Sequence, residues 1–371
     1  MREDRLLSVR AVARRKVERA WWLVGADRGA HFAEAEQACR VAPVDARADQ
    51  AHGHALWRGE LVPWGVRADR WPQTAGVVTI RRMLEVAADN EEAMRAWNGV
   101  LFDRFVEFRH VVTAGLLPHG NAALRLAPPS PGDRVLDVGC GFGDASQQLA
   151  AIVGPEGSVL GVDVADRFIA AAVEEAETAG AANVRFAVRD VQITEFEDTF
   201  DYAFSRFGTM FFANPVPALR NVRRALVPGG RLCMVVWRRK LDNPWLHRAE
   251  LVVKPHLREE ENTDEPRCGP GPFSMADADT TSGILVAAGF EEIAFHRCDL
   301  PIKIGRDLDD AINANLAIGP AAEALRLAGD EGARLRPQLS ELLRTALADF
   351  ATPDGVIADS STWTVTARAP A

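Results

Sequence analysis

From about residue 130 onward, short apolar runs alternate with stretches in which apolar residues recur every three or four positions. The runs are Arg134–Val138, Ser158–Asp163, Ala182–Val188, Phe200–Ser205, Arg231–Trp237, Glu291–Leu300 and, near the end, Trp363–Ala367. Most are near-continuous and rich in Val, Leu, Ile and Phe, as strands covered on both faces are. The helical periods between them are Gln147–Ile152, Arg167–Ala179, Pro215–Leu226 with Asn214 as its cap, Asn243 to Leu257, and a helix opened by Ser274 and Asp277 that ends at Ala288. Strands alternating with helices of this length predict an α/β fold around a mostly parallel sheet. Ahead of the first strand, Asn90-Glu91-Glu92-Ala93 reads as a capped start with acids suited to the helix dipole. One helix is expected from there through Met94, Trp97, Leu101 and Phe105 toward Val111. Asp307 to Phe350 reads as two or three helices, Arg334 to Ala348 among them, placed before the last strand.

The chemistry concentrates where the first strand ends. Asp137 interrupts the apolar run, and glycines follow at 139, 141 and 143. Glycine allows positive φ and lets a ligand approach the backbone with no Cβ in the way. In an open α/β sheet this edge is where ligands bind. The dinucleotide fingerprint is G-x-G-x-x-G; here the spacing is G-x-G-x-G beside a carboxylate. A carboxylate repels a pyrophosphate and suits an amino cation. The second strand also ends in an acid, Asp163, 24 residues past Gly139. An acid at that distance can accept hydrogen bonds from both hydroxyls of a ribose; capping the next helix is the alternative.

Asp137-x-Gly139-x-Gly141-x-Gly143 resembles motif I of the class I S-adenosylmethionine (SAM) dependent methyltransferases. Leu226-x-Pro228-Gly229-Gly230-x-Leu232 is similar to the turn before strand 5 in that family. The resemblance covers about residues 90–300. It implies a Rossmann-like, seven-stranded sheet of order 3-2-1-4-5-7-6, with strand 7 antiparallel and helices on both faces. The helical stretch then becomes an insert between strands 6 and 7. The implied cofactor is S-adenosylmethionine, and the implied cofactor-binding residues are Asp137, Gly139, Cys140, Gly141, Gly143, Asp163, Val164, Asp190, Val191, Ser205 and Arg206. Asp190 is expected near the adenine amino group with the Val191 backbone beside it. Trp97-Asn98-Gly99 resembles a feature ahead of motif I in one bacterial branch, where a helical arm closes over the cofactor. After strand 4, relatives that methylate adenine or glutamine nitrogens carry Asn/Asp-Pro-Pro-Tyr/Phe. This chain has Ser205-Arg206-Phe207-Gly208 instead, similar to the small-molecule branch of the ubiquinone/menaquinone C-methyltransferases. The expected reaction is in-line methyl transfer to a small molecule. A non-catalytic SAM- or nucleotide-binding module is the alternative. A NAD(P)-dependent oxidoreductase is a weaker one, opposed by the glycine spacing and Asp137.

Composition narrows the partners. The chain has 371 residues and a net charge of −9, which disfavours non-specific nucleic-acid binding. No apolar run reaches the roughly 18 residues of a membrane span, and a cytoplasmic location is the default expectation. The five cysteines show no C-x-x-C spacing, so no metal site is expected. Residues 1–75 differ from the rest, with 13 Lys and Arg against 10 Asp and Glu and five of the nine tryptophans. Residues 1–76 are expected to be a poorly ordered extension or an over-long reading of the start site, and His31, His52 and His54 within them are expected to be solvated. Residues 77–300 are expected to form the SAM-binding core with its helical arm, and 301–371 the helical lid and the final strand of the same domain. Homodimer packing is the alternative role for the insert. His110, His119, His247 and His256 are candidate bases, and none is singled out as catalytic. Phe211, Phe212, Trp237 and Trp245 are candidates for an apolar acceptor wall.

Overall fold

The computed structural model describes residues 86–257 and 270–371. The extension 1–76, its histidines, and residues 258–269 lie outside the described residues. All described residues belong to one unit, Arg81–Ala371.

The strands are β1 (Arg134–Val138), β2 (Ser158–Asp163), β3 (Val184–Val188), β4 (Phe200–Arg206), β5 (Leu226–Trp237), β6 (Glu291–Gly305), β7 (Ala351–Thr352) and β8 (Gly355–Arg368). They form one sheet in the order β3-β2-β1-β4-β5-β8-β6. Strands β1 to β5 pair in parallel, and β8 is antiparallel to both β5 and β6. The expected order and the antiparallel last strand are both present. The sheet has eight strands rather than seven, because the two-residue β7 adds to β8.

Helices cover both faces, for the reason visible in β1. Successive side chains point to opposite sides of a strand. Leu136 and Val138 pack with Leu219 and Val222 of α6 (Pro215–Ala225) and Leu285 of α8 (Ala278–Ala288). Val135 packs the other way, with Leu149 and Val153 of α4 (Asp144–Val153) and Leu124 of α3 (Leu117–Leu126). Asp277 caps α8 by accepting the Thr280 N–H at 2.8 Å.

Four expectations need correction. The arm before β1 is not one helix. It runs as α1 (Glu91–Ala96), an unwound turn Trp97–Leu101, α2 (Phe102–Glu107), a second wide turn His110–Gly115, and α3. The first break falls at Gly99, the residue least held to helical geometry (φ −103°, ψ −122°). Asn90 does not cap; it already has helical backbone angles, and its side chain makes no capping bond. Asn214 does not cap α6 either. Its side-chain amide bonds Asp89, and its N–H is taken by Gln192 Oε1 at 2.5 Å. Strand β5 starts at Leu226, running through the Pro-Gly-Gly segment.

The fourth correction has the largest consequence. Strand β6 continues past Leu300 to Gly305, and β8 begins at Gly355 rather than Trp363. The boundary expected at residue 300 therefore falls inside a strand. Pro301 sits at an exposed position on an edge strand, where a missing N–H is tolerated, and Ile302 and Ile304 alternate inward. Strand β8 pairs with β5 only over Thr362–Arg368, while β6 follows it to Val356. The hairpin thus projects beyond the parallel strands by about 20 Å, at roughly 3.3 Å per residue. Three helices connect its two strands: α9 (Leu308–Asn315), α10 (Pro320–Leu327) and α11 (Gly329–Leu347). They share a core with Ala249 and Val253 of α7 (Pro244–Val253). The arm also meets them, where Phe108 and Val111 pack on Ala314 and Ala317.

Candidate active site

The C-terminal ends of β1 to β4 each deliver one polar side chain to the same edge. Asp137 is 1% exposed and accepts the Ser146 hydroxyl at 2.5 Å. Burial pushes its carboxyl up to about 7, against the opposing pull of Ser146 and Arg206. Asp163 of β2 accepts two backbone N–H groups, Gly141 at 3.1 Å and Ala165 at 3.0 Å. Burial raises its carboxyl pKa despite those bonds. Asp190, just past β3, is buried and accepts N–H groups from Ala87 and Gln192, each at 3.0 Å. At the end of β4, Ser205 donates to the Val138 carbonyl at 2.7 Å, locking β4 to β1. Arg206 Nη2 meets Asp144 at 2.6 Å, and its Nη1 is buried without a partner.

The glycine turn between β1 and α4 is built from the inside. Gly139 and Cys140 both donate to the Val162 carbonyl, Gly143 donates to Cys140, and Gly141 donates to Asp163. A loop that grips a pyrophosphate needs outward-facing N–H groups; these four are turned inward. Gly143 has φ +77°, and a Cβ there would come within 2.6 Å of the Phe186 ring. Gly141 also has positive φ, but a Cβ there would meet nothing closer than 4.0 Å. Its outer side is open. The Cys140 thiol is buried, which raises its pKa and keeps it protonated. Val191 belongs to the apolar core, and Val164 is half-buried beside Asp163.

The arm lies across this edge. Trp97 packs edge-on against Phe105, Phe168 and Phe211. Phe102 packs on Phe168 and on Phe142, the residue between two of the motif glycines. Arg109 stands over Phe142 and pairs with Glu175.

A second aromatic group stands further along, at the ends of β4 and β5. The Phe207 and Trp237 rings are 4.5 Å apart and 32° from parallel, and Trp245 meets Trp237 at 6.3 Å. Phe207 has φ +60°, an unusual value for a bulky residue. Of the four aromatic wall candidates, Trp237 and Trp245 come together. Phe211 instead joins the arm cluster, and Phe212 packs at the margin of the main core. Sequence reasoning did not place Phe207 in this aromatic group; its positive φ beside Gly208 is not readable from residue type.

His119 is fully buried, edge-on to both Phe207 and Trp237. Its Nε2 lies 2.6 Å from Ser360 Oγ, which itself donates to the Leu300 carbonyl. Its Nδ1 lies 3.0 Å from Thr362 Oγ1, which also reaches the Cys298 carbonyl at 3.4 Å, so both ring nitrogens are engaged. Burial pulls the His119 pKa down to about 4. It is a neutral strut and not a free base. His110 is held by Asp310 at 2.7 Å. Among the described residues no cluster of three His, Cys, Asp or Glu could hold a metal ion.

A methyltransferase domain family matches residues 129–274, which contain the glycine turn and the ends of β1 to β5. The chain is 30% identical over 188 residues to a ubiquinone/menaquinone biosynthesis C-methyltransferase of Ectopseudomonas mendocina, covering 47% of this chain and 71% of that protein. It is 31% identical over 182 residues to the enzyme of the same name from Teredinibacter turnerae, covering 47% and 73%. Among solved structures, the YcgJ protein of Bacillus subtilis matches 68% of this chain and 99% of its own, at 18% identity and a TM-score of 0.46. With those relatives matched over more than two thirds of their length, the chain is a methyltransferase that uses S-adenosylmethionine and belongs to the class I family, in the branch resembling the ubiquinone/menaquinone C-methyltransferases.

Proposed function

We propose that this enzyme methylates a small, planar, largely apolar acceptor, seated at the C-terminal edge of the sheet against Phe207, Trp237 and Trp245. The observation that carries the cofactor's placement is the glycine turn. Its N–H groups face inward, its outer side is open at Gly141, and carboxylates stand at three strand ends. That donor set fits a sulfonium nucleoside with a free amino group and does not fit a pyrophosphate. Asp163 and Val164 would hold the ribose, and Asp190 and Val191 the adenine. Asp137, Gly139, Cys140, Gly141 and Gly143 would line the amino-acid end, with Ser205 and Arg206 closing it. The Ser205 hydroxyl is engaged by Val138, so its share falls to its backbone.

When bound, S-adenosylmethionine supplies an activated methyl group on a cationic leaving group. What remains for the chain is alignment, proximity and a dry site. The inward glycine turn sets the approach. Half-buried Phe207 would meet the acceptor with the buried Trp237 ring packed behind it, and neutral His119 holds those rings without adding charge. The curated relatives carry quinone-biosynthesis names, which makes a hydroquinone ring the first acceptor class to try. We read the chain from about residue 77 onward as one domain, the core with its arm, in which the helices α9 to α11 inserted between β6 and β8 form a lid over the acceptor.

The test is incubation of the purified protein with methyl-labelled S-adenosylmethionine and 1,4-naphthohydroquinone, alongside a small-molecule cell extract, read by mass spectrometry. Labelled ring methylation is the expected outcome. Labelled product only on polar, non-aromatic compounds would contradict the acceptor class.

A further inference from the structure

The unwound turn Trp97–Leu101 leaves backbone carbonyls that a regular helix would engage. Two of them are met by one side chain. Arg167 Nη1 donates to the Asn98 carbonyl at 3.2 Å and to the Gly99 carbonyl at 3.4 Å. Its Nη2 donates to Asp103 Oδ1 at 2.7 Å, and its guanidinium lies 4.1 Å over the Phe102 ring. The Arg167 backbone N–H also donates to Asn98 Oδ1 at 3.3 Å. One residue thus holds both sides of the break in the arm. Arg167 is the second residue of α5 (Asp166–Ala179) and lies four positions after Asp163. The segment that carries the β2 carboxylate therefore also carries the clamp. At the arm's other end the Ala87 N–H is fastened to Asp190.

We propose that Arg167 is a positioning residue for the cofactor: it pins the unwound Trp97–Leu101 turn beside Asp163 and holds the arm shut over bound S-adenosylmethionine. This rests on the cofactor placement given under Proposed function. Arg167 needs no contact with the cofactor; it sets how long the arm stays closed. A loosened arm admits the ligand as readily and releases it sooner, so the effect belongs to the dissociation rate.

The test uses S-adenosylhomocysteine as probe, with the full chain, by calorimetry and stopped-flow. The variants are Arg167→Met, Arg167→Lys and Asp103→Asn. Methionine keeps an unbranched stem over Phe102 and removes every side-chain donor. It should raise the dissociation rate about tenfold or more and leave the association rate within about twofold. Lysine should fall between, since one ammonium cannot reproduce the planar fork. Asp103→Asn should give a smaller rise, and its exposed site keeps the proposal testable if Arg167→Met folds poorly. Wild-type dissociation rates in Arg167→Met or, should that variant not fold, in Asp103→Asn would overturn the clamp, as would a loss confined to association. A wild-type protein that fails to bind the probe is a different result and would overturn the cofactor placement itself.

Discussion

Asp163 carries the clearest consequence of any single residue. Its carboxylate accepts the N–H groups of Gly141 and Ala165, so its removal leaves two donors unpaired at a cost of about 1–3 kcal/mol each, a local loss at the end of β2 and not the unfolding of the strand. Hydrogen bonds to a charged group contribute about 1.5–3 kcal/mol each. Asp163→Ala should therefore weaken S-adenosylhomocysteine binding by about 10- to 150-fold, measured by calorimetry, with an unaltered far-UV circular dichroism spectrum. An unchanged dissociation constant would remove Asp163 from the site. Asp137 and His119 make a second prediction, in which they oppose one another. His119 has a folded pKa of about 4 against about 6.5 unfolded. The unfolded chain binds the extra proton between those values, so this term raises stability with pH, by roughly 3 kcal/mol across the window. Asp137 has a folded pKa of about 7 against about 3.9 unfolded. Here the folded chain binds the extra proton, so stability falls as pH rises from about 4 to 7, by roughly 4 kcal/mol. In the wild type the two terms largely offset. Scanning calorimetry from pH 4.5 to 7.5 should show that His119→Gln loses stability with rising pH relative to wild type. Asp137→Asn should gain it. Parallel profiles for all three proteins would mean that neither group titrates as its burial dictates.

The β6–β8 hairpin and its helices act as one element. Leu339, Leu343 and Leu347 of α11 are fully buried against α7 and α9. The insert is therefore part of the fold's packing, and excising it would bare Ala249, Val253, Phe108 and Val111. Leu343→Ala should lower unfolding free energy by about 2–5 kcal/mol in urea. The dissociation constant for S-adenosylhomocysteine should stay close to wild type, because the strand ends proposed to hold the cofactor lie elsewhere. Loss of affinity matching the loss of stability would mean that the insert shapes the cofactor site. How far this element could be read from sequence depends on pairing. Strands β1, β2 and β4 are largely apolar runs, and that pattern gives their bounds to within a residue. In the outer half of β6 Pro301 reads as a stop, and in the outer half of β8 an apolar triplet is followed by the polar run Asp359–Ser361, so only their pairing with each other reveals them as strand. The arm misled for the opposite reason. Its residues suit a helix locally apart from Gly99, and the carbonyls freed at that break are met by the Arg167 fork, a tertiary contact that no local pattern announces. At the site, Asp137, Asp163 and the glycines were legible because their spacing is dictated by backbone geometry. Arg167, Ala87 and Phe207 were not, since each works through a partner distant in sequence.

At the scale of the molecule, the net charge of −9 and the carboxylates around the glycine turn favour a cationic ligand held in a site closed by the arm. Among the described residues no helix is long and apolar enough to cross a membrane. The arm touches both the cofactor edge, through Phe142 and Phe168, and the insert, through Ala314 and Ala317. Closing over one ligand therefore bears on the lid proposed for the other. All of this depends on what the glycine turn binds. The direct measurement is parallel calorimetric titration of the full chain with S-adenosylhomocysteine and with NAD. The account predicts saturable one-to-one binding of S-adenosylhomocysteine and no heat of binding from NAD. Saturable binding of NAD with no response to S-adenosylhomocysteine would contradict it.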